Sequence, residues 1–118
     1  MKKVLLVEDE VLIAAGVEEA LRDNGISVCA AHSSGEALCR LEAEPRTFSV
    51  LVTDINLGSG ASGFDVAATA RILNPGIQVV YMTGRCENIE AAGMQALTFL
   101  KPFDAEDLAD QVRQMLVG

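Results

Sequence analysis

The chain has 118 residues, which predicts one domain spanning residues 1–118, and its hydrophobic content of 50% argues against intrinsic disorder. Its net charge of −8 argues against nucleic acid or an anionic membrane as a partner, because both are bound through clustered Lys and Arg. No apolar run reaches the roughly 20 residues of a transmembrane helix, and Val4–Val7 is too short for the core of a signal peptide, so we expect a cytoplasmic protein.

The first half of the chain predicts two strand–helix units. The apolar run Lys3–Val7 predicts the first strand, and apolar positions recur every three to four residues over Val11–Asn24, which is typical of a helix packed on one face. Ile26–Ala30 predicts the second strand. Ser33, followed three residues later by Glu36, has the spacing of a capping box and predicts the start of the second helix.

The second half continues this alternation. Three further strands are predicted over Ser49–Thr53, Ile77–Met82 and Ala96–Leu100. A helix over Phe64–Leu73 follows a loop rich in glycine and serine and ends before the turn sequence Asn74-Pro75-Gly76. We expect a short helix around Asn88–Ala92, and Asp104 caps the last helix.

Five strand–helix units predict an α/β fold. The first, third and fourth strands are continuously apolar, as expected when helices cover both faces of a parallel sheet. Right-handed crossovers then favour a doubly wound (βα)5 sandwich with a five-stranded parallel sheet of order 2-1-3-4-5. In such a sheet the functional site lies at the carboxyl ends of the strands, beside the switch point between strands one and three.

Polar residues follow the predicted strands at that edge. Glu8 and Asp9 follow the first strand, Asp54 the third, Thr83 the fourth and Lys101 the fifth. Three neighbouring carboxylates repel one another and require a cation or a proton. A site with only oxygen ligands suits Mg²⁺, and phosphate oxygens commonly complete its shell. The hydroxyl and the ammonium group would then hold a phosphoryl group, although the same residues can also be helix-terminal acids and a neutralising ion pair.

The motifs at these strand ends resemble the signature of bacterial response-regulator receiver domains of two-component signalling. They are Val7-Glu8-Asp9-Glu10, Thr53-Asp54-Ile55-Asn56, Met82-Thr83-Gly84 and Leu100-Lys101-Pro102-Phe103. The resemblance extends over essentially the whole chain and implies the CheY-like, flavodoxin-like variant of the fold predicted above. It also implies that the peptide bond between Lys101 and Pro102 is cis.

The resemblance implies a role for each site residue. Asp54 matches the aspartate that accepts the phosphoryl group. Asp9, Asp54 and the backbone carbonyl of Asn56 match the Mg²⁺ ligands, and Glu8 matches the acid that holds the ion through water.

Thr83 matches the switch hydroxyl that moves onto the phosphoryl group, and Lys101 matches the lysine that pairs with it. The implied donor is a histidine kinase or a histidine phosphotransfer protein. The output would be a switched surface that binds a downstream protein not identified by the sequence. Such a protein is not an enzyme acting on a metabolite, since it catalyses only its own phosphorylation and dephosphorylation.

Other functions remain open at this point. One is a pseudo-receiver that binds partners without phosphorylation. Another is a phosphoaspartate-type hydrolase, whose nucleophile normally belongs to an Asp-x-Asp motif, whereas Asp54 is followed by Ile55 and Asn56. A flavodoxin-like cofactor binder needs a phosphate-binding first loop, and Glu8-Asp9-Glu10 would repel phosphate. The chain fits either a stand-alone receiver or a domain of a hybrid kinase or larger regulator.

The sequence departs from the receiver pattern around the fifth strand. The family usually has an aromatic residue three positions before the lysine, where this chain has Thr98. Phe99 should point to the other sheet face and pack in the core, unless the strand contains a bulge. The segment between Thr83 and Lys101 is short, so we expect a fourth helix of one turn or of irregular form. Arg85 can reach the phosphoryl group or be solvated.

The remaining polar side chains predict little chemistry. The three cysteines, Cys29, Cys39 and Cys86, lack metal-ligand spacing, and we expect buried, reduced thiols. His32 is expected in a turn after the second strand, away from the central acids.

Overall fold

Five strands alternate with five helices in a computed structural model that describes residues 3–58, 60–93 and 96–117. The strands are β1 (Lys3–Val7), β2 (Ser27–Ala31), β3 (Phe48–Asp54), β4 (Gln78–Thr83) and β5 (Leu97–Leu100). The helices are α1 (Val11–Asp23), α2 (Ser34–Ala43), α3 (Gly63–Leu73), α4 (Cys86–Ala92) and α5 (Ala105–Val117). Each of these elements was predicted, and most bounds differ from the prediction by one residue.

The strands form one parallel sheet in the order β2-β1-β3-β4-β5, which confirms the predicted topology. Successive β1 side chains enter opposite cores because side chains alternate along a strand. Leu5 and Val7 pack with residues of α2 and α3, whereas Val4 and Leu6 pack with residues of α1 and α5. Both faces of the sheet are therefore buried, which explains the continuously apolar strands.

The third and fourth strands extend one residue beyond their predicted ends. Asp54 is paired with Met82, and Thr83 is paired with Leu100. The apolar pattern marks only the part of a strand that enters the core, whereas backbone pairing does not depend on the side chain. The two polar site residues are consequently held within the hydrogen-bonded sheet.

Two helix starts differ from the sequence pattern. Ser33 accepts the N–H of Glu36 at 3.1 Å, as predicted, but the Glu36 carboxylate accepts the N–H of His32 at 2.9 Å. The reciprocal half of that capping box is thus displaced by one residue. A complete capping box, not predicted from the sequence, joins Ser62 and Asp65, and it starts α3 at Gly63.

Gly63 lies directly beneath the end of β3. Its N–H donates to the carbonyl of Ile55 at 2.8 Å, and a Cβ at this position would lie 2.1 Å from the carbonyl oxygen of Asp54. Only a residue without a side chain permits this approach. The start of α3 therefore supports the backbone that carries Asp54.

The region of α4 and β5 settles two open expectations. With seven residues α4 is about two turns long, so the expectation of a single or irregular turn is wrong. The pairing of β4 with β5 is regular, without a bulge.

Phe99 packs on the α1 and α5 side of the sheet, its ring 5.7 Å from that of Phe103, which confirms core packing. Thr98 lies on the opposite face, and its buried hydroxyl has no hydrogen-bond partner among the described residues.

The cysteine and histidine expectations require correction. The three thiols are free, but Cys39 and Cys86 are exposed and Cys29 is only half-buried. Cys39 lies on the outer side of α2, and Cys86 begins α4, so neither faces a core. His32 is exposed after β2, yet its Nδ1 lies 3.2 Å from the carbonyl oxygen of Glu8, because β1 and β2 are adjacent.

None of the helices in the described ranges combines the length and the hydropathy that crossing a lipid bilayer requires.

Candidate functional site

Three carboxylates meet at the carboxyl edge of the sheet. Glu8 and Asp9 directly follow β1, and Asp54 ends β3, its neighbour in the sheet. Carboxylate oxygens of these three residues lie within 4.8 Å of one another. Parallel pairing of adjacent strands brings their ends to the same edge, which is why residues 45 positions apart in the chain become neighbours.

The three acids differ sharply in their access to solvent. Glu8 is 0% exposed and Asp54 is 5% exposed, whereas Asp9 is exposed. Both oxygens of Glu8 are hydrogen-bonded, Oε2 to the N–H of Glu10 at 3.1 Å and Oε1 to Lys101 at 2.7 Å. Asp9 is therefore the acid of this cluster that an incoming ion meets first.

Lys101 bridges the two buried acids. Its Nζ donates to Glu8 Oε1 at 2.7 Å and to Asp54 Oδ2 at 2.9 Å. The peptide bond that follows it, to Pro102, is cis, as the resemblance implied. The backbone N–H of Lys101 donates to the carbonyl of Thr83 at 2.7 Å, so pairing between β4 and β5 continues to the residue that carries the ammonium group.

The electrostatics of the site favour an added positive charge. Burial raises the pKa of Glu8 from 4.5 to about 7, and the charge of Asp54 acts in the same direction, while hydrogen bonds from Lys101 and the N–H of Glu10 offset part of the rise. Burial lowers the pKa of Lys101, but its hydrogen bonds to Glu8 and Asp54 outweigh burial and leave that pKa above 10.5. The lysine is thus charged, and Glu8 holds a proton more readily than an ordinary glutamate.

This donor set fits a hard divalent cation. Three carboxylates against one ammonium group leave a surplus of two negative charges, which one Mg²⁺ would offset. The cluster offers only oxygen ligands and one open side, at Asp9, which suits an ion that retains several water molecules. The backbone of Asn56 lies beside it, since its N–H donates to Asp54 Oδ1 at 3.2 Å.

Thr83 lies at the other side of Asp54, at the end of β4. It is fully buried, and its Oγ1 accepts the N–H of Arg85 at 3.1 Å. Arg85 thus contributes its backbone to the site, and its side chain is exposed.

Asn88 is a site residue that the sequence analysis missed. Its Nδ2 donates to Thr83 Oγ1 at 2.9 Å and to Asn56 Oδ1 at 3.0 Å. The signal was weak, because Asn88 enters the site only if α4 begins at Cys86, two residues earlier than the sequence suggested. With that start, Asn88 falls in the first turn and faces the strand ends.

The structure therefore brings together the acids, the hydroxyl, the lysine and Asn56, which the sequence analysis assigned to the site. Lys101, Glu8 and Asp54 are in direct contact, Asp9 completes the acidic cluster, and Thr83 closes the opposite side through Asn88. Asn56 is joined to both sides, through Asp54 and through Asn88.

Known proteins share this arrangement of sequence and fold. The family model of the response regulator receiver domain matches residues 4–113. The response regulator receiver protein CpdR of Brucella abortus is 31% identical over 122 residues, covering 100% of this chain and 99% of CpdR. The sensor kinase CckA of the same organism is 32% identical over 117 residues, covering 96% of this chain but only 12% of that protein.

Solved structures agree with the sequence comparison. The crystal structure of a response regulator receiver protein from Sinorhizobium medicae superimposes with a TM-score of 0.88 at 28% identity, covering 98% of this chain and 94% of that one. The family match spans nearly all of the chain, and the fold is the same. This chain belongs to the response-regulator receiver family, whose members are signalling modules of two-component phosphorelays and not conventional enzymes.

Proposed function

We propose that this chain accepts a phosphoryl group from a phosphohistidine donor onto Asp54 in the presence of Mg²⁺, and that the aspartyl phosphate switches a surface that binds a downstream protein. The observation that carries the proposal is the position of Lys101. Its ammonium group contacts Asp54 and Glu8 at the edge of a carboxylate cluster, which places a fixed positive charge beside the oxygen that would attack.

The metal-binding residues of this proposal follow from the cluster. Asp9, Asp54 and the backbone carbonyl of Asn56 would hold Mg²⁺ directly, and Glu8 would hold it through water. A bound Mg²⁺ supplies charge neutralisation for the phosphoryl oxygens and helps to orient them.

The transfer itself requires a carboxylate with a free lone pair. Asp54 Oδ1 accepts one hydrogen bond from Asn56 and Oδ2 one from Lys101, so each oxygen retains a lone pair. One oxygen attacks phosphorus in line, an O–P bond forms and the P–N bond of the donor breaks. The electron pair of that bond stays on the imidazole nitrogen, and the donor leaves as a neutral ring when its other nitrogen carries a proton.

Lys101 and Thr83 act on the group that has been transferred. The ammonium group can exchange its contact with the Asp54 carboxylate for a phosphoryl oxygen, to which it is attracted by charge. The Thr83 hydroxyl can donate to another phosphoryl oxygen. Movement of this hydroxyl toward Asp54 would carry the signal to the elements behind β4, namely α4 and β5.

A protein donor needs an entry route to Asp54. A groove next to Lys101 runs between α1 and the loop after β5, and it is lined by apolar side chains that include Ile13 and Phe103. Leu12 at its edge is 88% exposed. We assign this groove as the binding surface for the histidine kinase or histidine phosphotransfer protein. The donor must bring its phosphoryl group to Asp54, which lies in contact with Lys101.

The alternatives are less well supported. A pseudo-receiver needs none of the acids, the hydroxyl or the lysine, yet all are present at one edge of the sheet, and Lys101 contacts both Glu8 and Asp54. A phosphoaspartate-type hydrolase needs a second acid two residues after its nucleophile, and this chain has Asn56 there.

The test is intact mass after incubation with Mg²⁺ and acetyl phosphate. We expect the wild-type protein to gain the mass of one phosphoryl group, and Asp54→Asn to gain none. Asp23→Asn, at the exposed end of α1, is the matched control and should behave like the wild type. A chelator should abolish the gain. An unmodified wild-type protein that also fails to accept phosphate from a phosphohistidine donor would contradict the proposal and favour the pseudo-receiver.

A further inference from the structure

Helix α4 is joined to the site by the side chain of Asn88. This residue is half-buried, whereas its neighbours Glu87 and Ile89 are exposed. Both hydrogens of its Nδ2 are used, one toward Thr83 Oγ1 at 2.9 Å and one toward Asn56 Oδ1 at 3.0 Å. The amide therefore connects Asn56, two residues after the end of β3, with Thr83, the last residue of β4.

Among the described residues, α4 has few other features that stabilise it. It has seven residues, too few to be stable as an isolated helix. Its N-cap, Arg85, makes no side-chain capping hydrogen bond, and Ile89 is 41% exposed. The two hydrogen bonds of Asn88 therefore act together with the packing of α4 on β4 and β5 to order this helix against the sheet.

The same contacts determine where the Thr83 hydroxyl lies. Its Oγ1 accepts two hydrogen bonds, from Arg85 N–H and Asn88 Nδ2, which occupy both lone pairs of a hydroxyl. Both donors lie on the α4 side. A phosphoryl group on Asp54 would offer strong acceptor oxygens to the remaining hydroxyl proton from the opposite side.

We propose that Asn88 is a positioning residue that latches α4 to the unphosphorylated site, and that phosphorylation of Asp54 releases α4 by drawing Thr83 away from the Asn88 amide. The proposal rests on the function proposed above. It adds the residue that couples the site to α4, and it assigns the hydrogen bonds of that residue to the unphosphorylated state.

This proposal predicts whether loss of the Asn88 hydrogen bonds favours or opposes phosphorylation. Hydrogen bonds that exist only in the unphosphorylated state oppose phosphorylation, so removing them must favour the phosphorylated state. A residue that merely supported the structure of the site would act in the opposite direction, because its loss would weaken the site. The sign therefore distinguishes a latch from a structural support.

The first experiment measures binding of beryllofluoride, a phosphoryl mimic, in the presence of Mg²⁺, by NMR titration of the full chain. Asn88→Ala should bind the mimic about two- to tenfold more tightly than the wild type, the range expected for the loss of one or two hydrogen bonds. Glu90→Ala is the matched control, since Glu90 is an exposed residue of the same helix and its replacement by alanine also raises helix propensity, though by less. It should bind like the wild type.

A second experiment needs no phosphoryl group. Backbone amide exchange of residues 90–93 should be faster in Asn88→Ala than in Glu90→Ala, while amides of α3 exchange alike in both. Beryllofluoride should accelerate the same α4 amides in the wild type and add little in Asn88→Ala. This loss of order would occur although alanine is the better helix former.

The outcomes separate the two proposals. If the wild-type protein binds the mimic and Asn88→Ala binds it equally or more weakly, the latch is wrong and the proposed function stands. The latch is equally wrong if exchange in α4 is unchanged by the substitution. If the wild-type protein binds no mimic and accepts no phosphate, the proposed function fails and the latch fails with it.

Discussion

At the scale of single residues, the chemistry of this protein depends on a buried acid. Glu8 is inaccessible to solvent, and its carboxylate is paired with Lys101, which also contacts Asp54. One ammonium group cannot neutralise two carboxylates, so the pair of acids carries excess negative charge in a poorly solvated place. Burial raises the pKa of Glu8, the charge of Asp54 adds to the rise, and a bound metal ion would oppose it by stabilising the carboxylate.

This predicts the pH dependence of folding in metal-free buffer. The pKa of Glu8 is about 7 in the folded protein and near 4.5 in the unfolded chain, so the folded state binds the extra proton. The contribution of Glu8 to the free energy of unfolding is thus fully present below pH 4.5 and is lost as the pH rises through 7. The shift corresponds to a loss on the order of 3 kcal/mol.

Urea unfolding at pH 5 and pH 8 with a chelator present measures this loss. In Glu8→Gln this side chain cannot ionise. The variant should therefore lose less unfolding free energy between pH 5 and pH 8 than the wild type, and the difference should be about the loss assigned to Glu8. The other ionisable groups are common to both proteins and cancel in the comparison. An equal loss of unfolding free energy in the wild type and in Glu8→Gln would contradict the raised pKa of Glu8.

At the scale of elements, the acceptor is positioned by a close contact between β3 and the start of α3. The backbone of Gly63 approaches the Asp54 carbonyl more closely than any Cβ allows. The capping box of Ser62 and Asp65 holds the helix start in this position. The site therefore depends on an interface between two elements as well as on its own side chains.

A pair of glycine substitutions tests this contact. Gly63→Ala should lower the free energy of unfolding by about 1–3 kcal/mol or more, because its Cβ must displace backbone. Gly16→Ala lies in the middle of α1 with nothing within 4 Å of the added Cβ. It should raise stability by about 0.5–1 kcal/mol through helix propensity.

Urea unfolding of both variants gives the comparison. Similar stabilities for Gly63→Ala and Gly16→Ala would show that the β3 and α3 backbones can separate freely. Phosphorylation by acetyl phosphate should also slow in Gly63→Ala, since the backbone of the acceptor moves.

At the scale of the whole molecule, the two faces of the sheet have different surroundings. The groove beside Lys101 lies on the α1 and α5 side, whereas α2 and α3 cover the other side. A donor protein that reaches Asp54 along this groove would contact Leu12, which is 88% exposed. A small donor such as acetyl phosphate needs no such contact.

This difference predicts a donor-dependent effect of Leu12→Ser. Phosphoryl transfer from a phosphohistidine protein should slow about tenfold, which is the order of effect expected for one leucine buried on binding. The rate with acetyl phosphate should not change. Ile72→Ser is the matched control, because Ile72 is 79% exposed on α3, away from the groove. A slower reaction with both donors, or an equal effect of the two substitutions, would contradict the assigned face.

Much of this fold could be predicted because the sequence patterns that indicate strands and helices depend on residues close together in the chain. The alternation of apolar strands with helices of one apolar face determined the parallel sheet and its order, since a buried parallel strand requires helices on both sides. The strand ends then indicated Glu8, Asp9, Asp54, Thr83 and Lys101 as the site, because parallel strands present their carboxyl ends at one edge.

The sequence by itself thus determined the fold, the edge of the sheet that carries the site, and the acids, hydroxyl and lysine gathered there. Only the tertiary structure decided that Lys101 joins Glu8 to Asp54, that Gly63 supports the acceptor, and that Asn88 reaches Thr83. The reason is physical: periodicity places a side chain on one face of one element. A contact between side chains depends on how closely two elements pack and on the residue at which each begins, and those are set by the whole fold.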